Sequence, residues 1–137
     1  MEGLEAYTWT IGAMAVMGGM MLVQILVVDY AGIRARHLPG APVPVDHKNI
    51  LFRATRAHAN TNESIAVFIM LAVVGILAGA RANWLAWLTW IYVGARLLHM
   101  LFYYADLRWQ RSTAFGVGLV ALLGMFGVTA AALLRQV

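Results

Sequence analysis

Two sets of polar residues recur at helical spacing inside stretches that are otherwise apolar. Arg53, Arg56, Asn60 and Glu63 stand at offsets 0, 3, 7 and 10 along the chain. At about 100° per residue they share one stripe about 80° wide, with His58 on roughly the opposite side. By the same arithmetic Tyr92, Arg96, His99, Tyr103 and Asp106 share a second stripe, and Tyr104 is off it. Arg111 and Ser112 follow a few residues later. Guanidinium groups match carboxylates bidentately, and Glu63 could receive an ammonium. Together these residues suit a small anionic ligand that also carries an ammonium group. A guanidinium also stabilises a neighbouring thiolate. The 137-residue chain has no cysteine, so it offers no disulfide, thiolate metal site or protein thiol nucleophile. Sulfur chemistry here requires a small molecule that supplies the sulfur.

The elements that must position these residues read as membrane spans. The chain is 62 % apolar and 12 % charged, with a mean hydropathy of +0.74. This is far from the soluble balance of about 45–50 % apolar and about 25 % charged. It argues against a soluble globular domain, a disordered chain or a disulfide-stapled module. About 20 residues per span allow four spans in one domain. The expected class is an all-α integral membrane protein, a four-transmembrane-helix bundle with spans over about 6–33, 47–80, 84–106 and 112–135. The acidic start, Met1-Glu2-Gly3-Leu4-Glu5, lacks the basic region of a signal peptide, so the first stretch is expected to be retained.

Pro39, Pro42 and Pro44 cluster in the first loop, where they exclude helix. Asp46 is the expected cap of the second helix, whose run from Lys48 to Ala80 would extend about 50 Å. Arg81-Ala82-Asn83 reads as a tight turn, and Ser112 or Thr113 as the cap of the fourth helix. Trp9, Trp84, Trp87, Trp90 and Trp109 lie near span ends, as an interfacial belt does. Gly75 and Gly79 form a GxxxG pair suited to close helix packing.

The net charge of +4 is distributed unevenly. Arg34, Arg36, Lys48, Arg53, Arg56, Arg108 and Arg111 fall on the side of the first and third loops, against Arg81 and Arg135 on the other. The positive-inside rule then places the basic loops in the cytoplasm and both termini outside. The cations suit topology better than nucleic acid, which is not an expected partner. Asp29 marks the exit of the first span, where a basic residue near the cytoplasmic boundary could pair with it, and no particular partner is evident. The histidines lack metal-ligand spacing, and no metal is expected.

Arg56-Ala57-His58-Ala59-Asn60-Thr61-Asn62-Glu63-Ser64, followed by Phe68, resembles the RAHxNxxEN-type signature of the MAPEG family, the membrane-associated proteins in eicosanoid and glutathione metabolism. Arg96-Leu97-Leu98-His99, then Tyr103, then Arg111-Ser112, resembles that family's third and fourth helices in order and spacing. The resemblance covers about residues 20 to 135.

It implies a homotrimer of four-helix subunits, with glutathione as co-substrate bound between neighbouring subunits near the cytoplasmic face. It further implies conjugation or peroxide reduction on lipophilic substrates or lipids reached from the bilayer. Carried over, Arg56, Asn60 and Glu63 hold glutathione, with Arg53 on the same stripe. Arg96, His99 and Tyr103 line or shape the site, and Arg34 reaches a glutathione carboxylate. Arg111 is the cation at the thiol, with Ser112 beside it as hydroxyl donor. The setting is an inner or plasma membrane in a bacterium, or an endoplasmic-reticulum-type membrane in a eukaryote. Three positions depart from the pattern. Ala59 stands where the prostaglandin E synthase branch has arginine, Phe115 replaces a tyrosine, and Ser64 replaces asparagine. Two alternatives remain open: a non-catalytic lipid-binding protein of the same fold, and a structural membrane subunit whose polar stripes serve only packing.

Overall fold

The computed structural model describes residues 3–136. After one 3-10 turn, Glu5–Tyr7, the chain forms four long helices: α1 Thr8–Arg34, α2 Ile50–Leu77, α3 Ala82–Tyr104 and α4 Arg108–Leu133. All four are long and apolar enough to cross a membrane. No strand occurs among the described residues.

The helix ends follow local hydrogen bonding. Asn49, not Asp46, caps α2, because its side chain accepts the Leu51 N–H at 2.9 Å. Asp46 closes the preceding turn instead, accepting the Lys48 N–H at 2.9 Å. At 28 residues, α2 extends about 42 Å, shorter than its sequence suggested but still longer than the hydrocarbon core of about 30 Å.

α1, α2 and α3 end in the same motif, in which a left-handed residue lets the next N–H reach back to a carbonyl five residues earlier. The left-handed residues are Arg36, Gly79 and Asp106. The closing bonds are His37 N to Gly32 O at 3.0 Å, Ala80 N to Gly75 O at 2.9 Å, and Leu107 N to Phe102 O at 2.8 Å. The tight turn between α2 and α3 therefore falls at residues 78–80, and α3 starts at Ala82. The turn after α3 is equally short, so α4 starts at Arg108. Ser112 and Thr113 lie inside it and donate to the Arg108 and Trp109 carbonyls at 3.1 Å, rather than capping it.

α2 and α3 form the centre, with α1 and α4 each packed against both. α1 buries a stripe of Thr10, Ala13, Met17, Met20, Gln24 and Ala31. Phe68 of α2 stacks on Tyr92 of α3, with centroids 4.5 Å apart. Gly118 of α4 faces Ala95, Arg96 and Tyr92 of α3, where a Cβ would make ordinary van der Waals contact. At the end bearing the α2–α3 turn, Tyr7 Oη donates to Ala80 O at 2.6 Å and Gln136 Nε2 to Ala78 O at 2.8 Å. Both satisfy carbonyls exposed where α2 stops. Trp9 and Trp90 meet nearby, the Trp90 indole donating to Trp9 O at 3.1 Å. Most large apolar side chains on the outer faces are exposed, as a bilayer solvent allows.

Candidate functional site

The arginine of α3 lies deepest. Arg96 is 2 % exposed. It donates through Nη1 to Asn60 Oδ1 and through Nη2 to Ser64 Oγ, both at 2.7 Å. Ser64 Oγ also shares a 2.7 Å hydrogen bond with Tyr92 Oη. The guanidinium carbon stands 5.4 Å from the ring centroids of both Tyr92 and Phe115. Among the described residues the only contact between a basic and an acidic side chain is His47 with Asp106, so Arg96 has no carboxylate counter-ion there. Its charge is met by neutral oxygens and aromatic faces.

This arrangement orients Asn60. Arginine has no acceptor, so the amide oxygen must face Arg96. The amide nitrogen is then left for the cleft that Asn60 lines with His99, Tyr103, Arg111, Ser112 and Phe115. The cleft holds about 280 Å³, near the lower bound for ligand pockets. Arg111 lies over the Tyr103 ring, its guanidinium carbon 4.4 Å from the ring centroid. Arg111 Nη1 is buried and makes no hydrogen bond to the described protein atoms. His99 packs edge-on to Tyr103 at 5.2 Å. One guanidinium and one amide N–H₂ therefore line a cleft with no carboxylate in its lining, and a second guanidinium lies buried behind it, a setting that attracts anions.

The structure brings together Asn60, His99, Tyr103, Arg111 and Ser112 at the cleft, with Arg96 directly behind. The other sequence-derived residues lie elsewhere. Arg34 is exposed at the end of α1, and Arg56 and Glu63 are exposed on α2. Arg53 does not line the cleft: Nη1 donates to His47 O at 2.6 Å and ties the first loop to α2. Asp106 belongs to the same loop contact, 3.8 Å from His47. The Ser112 proton is directed to Arg108 O, so in this rotamer Ser112 offers the cleft a lone pair and not a donor.

Phe115, at the position where the resemblance has a tyrosine, lines the cleft. Two contributors escaped the sequence reading. Ser64 was treated as a departure from a motif, yet it is a direct partner of Arg96. Gln24 is fully buried in α1 and donates to Thr61 Oγ1 at 3.1 Å. As a lone amide in an uncharged span it could have been singled out.

The model of the MAPEG family matches residues 10–131. The chain belongs to the MAPEG family, which includes glutathione-dependent transferases and related proteins. With its four apolar helices, it is an integral membrane protein. Among individually curated proteins the comparison gives no match.

Proposed function

We propose that this chain is a glutathione-dependent membrane enzyme, a transferase or peroxidase acting on lipophilic electrophiles or lipid hydroperoxides. The observation that carries this proposal is the donor-lined cleft in which Arg111, pinned on Tyr103, faces Asn60 and His99. Asn60 presents its amide N–H₂ to a ligand carbonyl or carboxylate. Arg111 favours the thiolate over the thiol, and the thiolate is the reactive species. The sulfur then bonds to an electrophilic carbon, and the displaced group leaves with the bonding pair. With a hydroperoxide, sulfur attacks the terminal oxygen and the O–O bond breaks. The alkoxide takes a proton, and a second glutathione converts the sulfenic acid to disulfide and water.

The cleft by itself is small for a tripeptide, and Arg34, Arg56 and Glu63 lie outside it. A homotrimer with the site between subunits would let a neighbour supply a further wall. The basic end, with the site, then faces the cytoplasm and both termini lie outside. The test is glutathione titration by thermal shift in detergent, with turnover on hydrophobic electrophiles and hydroperoxides. Arg111→Ala is expected to lower kcat/KM by about 10²–10³-fold, the usual cost of one preorganised charge donor. Neither binding nor turnover in the unsubstituted protein would reject the proposal.

Phe115 favours a second reading. Its apolar ring lies over Arg96 and at the cleft edge, as a surface for an acyl chain would. A non-catalytic lipid binder would copurify with lipid and show no glutathione-dependent shift.

A further inference from the structure

The buried stripe of α1 faces the bundle, and Asp29 points about 140° away from it at 100° per residue. Asp29 is exposed, and it is not in the only ion pair among the described residues. A carboxylate on the outer face of a span is costly against lipid and calls for a partner.

The outer face of α1 has a regular pattern. Ile11, Ala15, Gly18, Leu22, Ile25 and Asp29 follow one another at alternating spacings of four and three, and all are exposed. That is the seam spacing of paired helices. A Cβ on Gly18 would meet nothing within 4 Å, so the subunit's own packing does not require glycine there. Close approach of another helix would use it.

The height of Asp29 follows from α1–α2 contacts. Gln24 is bonded to Thr61, and a Cβ on Gly32 would lie 3.9 Å from Leu51. In this antiparallel register Asp29 lies level with Arg56. Arg56 is likewise exposed and without an ion-pair partner among the described residues. The two form no ion pair within the described subunit, and Arg56 points about 140° from the buried stripe of α2 that packs on α1. Any assembly whose symmetry axis runs along the membrane normal keeps all copies at one height. The Asp29 of one copy is then level with the Arg56 of the next.

Resting on the intersubunit site proposed above, we infer that the outer seam of α1 docks on a second copy of this chain, where Asp29 pairs with Arg56 of that copy and positions its guanidinium beside the cleft. Asp29 is thus a positioning residue supplied in trans. Of the other charged groups at this end, Arg34 and Glu63 are exposed, Arg111 is half-buried, and Arg53, one turn from Arg56, is half-buried and bonded to His47 O.

The cysteine-free sequence makes the test direct. A chain carrying Asp29→Cys and a differently tagged, larger chain carrying Arg56→Cys are co-expressed, and the membranes are oxidised. A covalent band of mixed size is expected, with loss of that band when either cysteine is absent. No mixed band, or an equal dimer band from Asp29→Cys alone, overturns the inference, the latter because α1 would then meet α1. As a second measurement, native mass spectrometry should find Asp29→Arg shifted to monomer and the Asp29→Arg, Arg56→Asp pair reassembled. An oligomer unaffected by Asp29→Arg, or a monomeric unsubstituted protein whose α1 face is covered by lipid, also overturns it. Glutathione titration of the unsubstituted protein separates the two proposals. Cross-linking without glutathione binding leaves this contact standing and removes the site; binding without cross-linking does the reverse.

Discussion

Arg96 shows how a chain accommodates a cation in the middle of a span without an acid beside it. A buried arginine is tolerable only when its donors are satisfied. Here Asn60 and Ser64 each take one strong bond. Ser64 has two duties, because Tyr92 shares the same oxygen. Ser64→Ala therefore strands Arg96 Nη2 and removes the Tyr92 partner in one step. We expect a loss of about 1–3 kcal/mol, the cost of an unsatisfied buried donor. Tyr92→Phe should cost less, about 1 kcal/mol, because Ser64 keeps Arg96 and only one neutral bond is lost. Unfolding of both variants in mixed micelles checks the order; equal losses would mean that Arg96 does not depend on the serine.

The elements repeat one device, a left-handed residue closing each of the first three helices, and its cost differs between them. Gly79 adopts φ 63° freely, whereas Arg36 at φ 51° carries a Cβ in the same region. Arg36→Gly should stabilise the fold by about 0.5–1 kcal/mol, seen as a higher unfolding midpoint. Gly75 is the opposite case. A Cβ there would sit 2.9 Å from Leu85 and 3.0 Å from Thr129, and both residues are buried. Gly75→Ala should cost about 1–3 kcal/mol by overpacking. The GxxxG pair thus divides its work within one subunit, with Gly75 for packing and Gly79 for the turn. Spacing alone showed two small residues on one face but not what approached them. The four helices and both polar stripes were legible because charge is rare in spans and its period is that of a helix. The caps were less so: Asp46, Asn49, Ser112 and Thr113 all have capping side chains, and only the turn geometry selects among them. The division of the site was hidden for a related reason. A stripe 80° wide does not say which of its members a neighbouring helix will cover, and α3 covers Asn60 but leaves Arg56 and Glu63 outside.

At the scale of the whole molecule, charge and aromatic residues divide the bundle into two unlike ends. One end carries the long first loop, the α3–α4 turn, the cleft and seven of the nine arginine and lysine residues assigned to the two sides. The other carries Arg81, Arg135 and the tryptophans of α3, where Trp9, Asn83, Trp87 and Trp90 enclose a groove of about 510 Å³. Lysine and arginine in short loops are retained on the cytoplasmic side, so the cleft should open toward cytosolic glutathione. Single cysteines in this cysteine-free chain test the orientation. Glu5→Cys and Val45→Cys lie at opposite ends, and both positions are exposed. A membrane-impermeant maleimide should label Glu5→Cys in intact cells and Val45→Cys only after permeabilisation. The reverse pattern would place the cleft outside the cytoplasm and separate it from the thiol supply that the proposed chemistry requires.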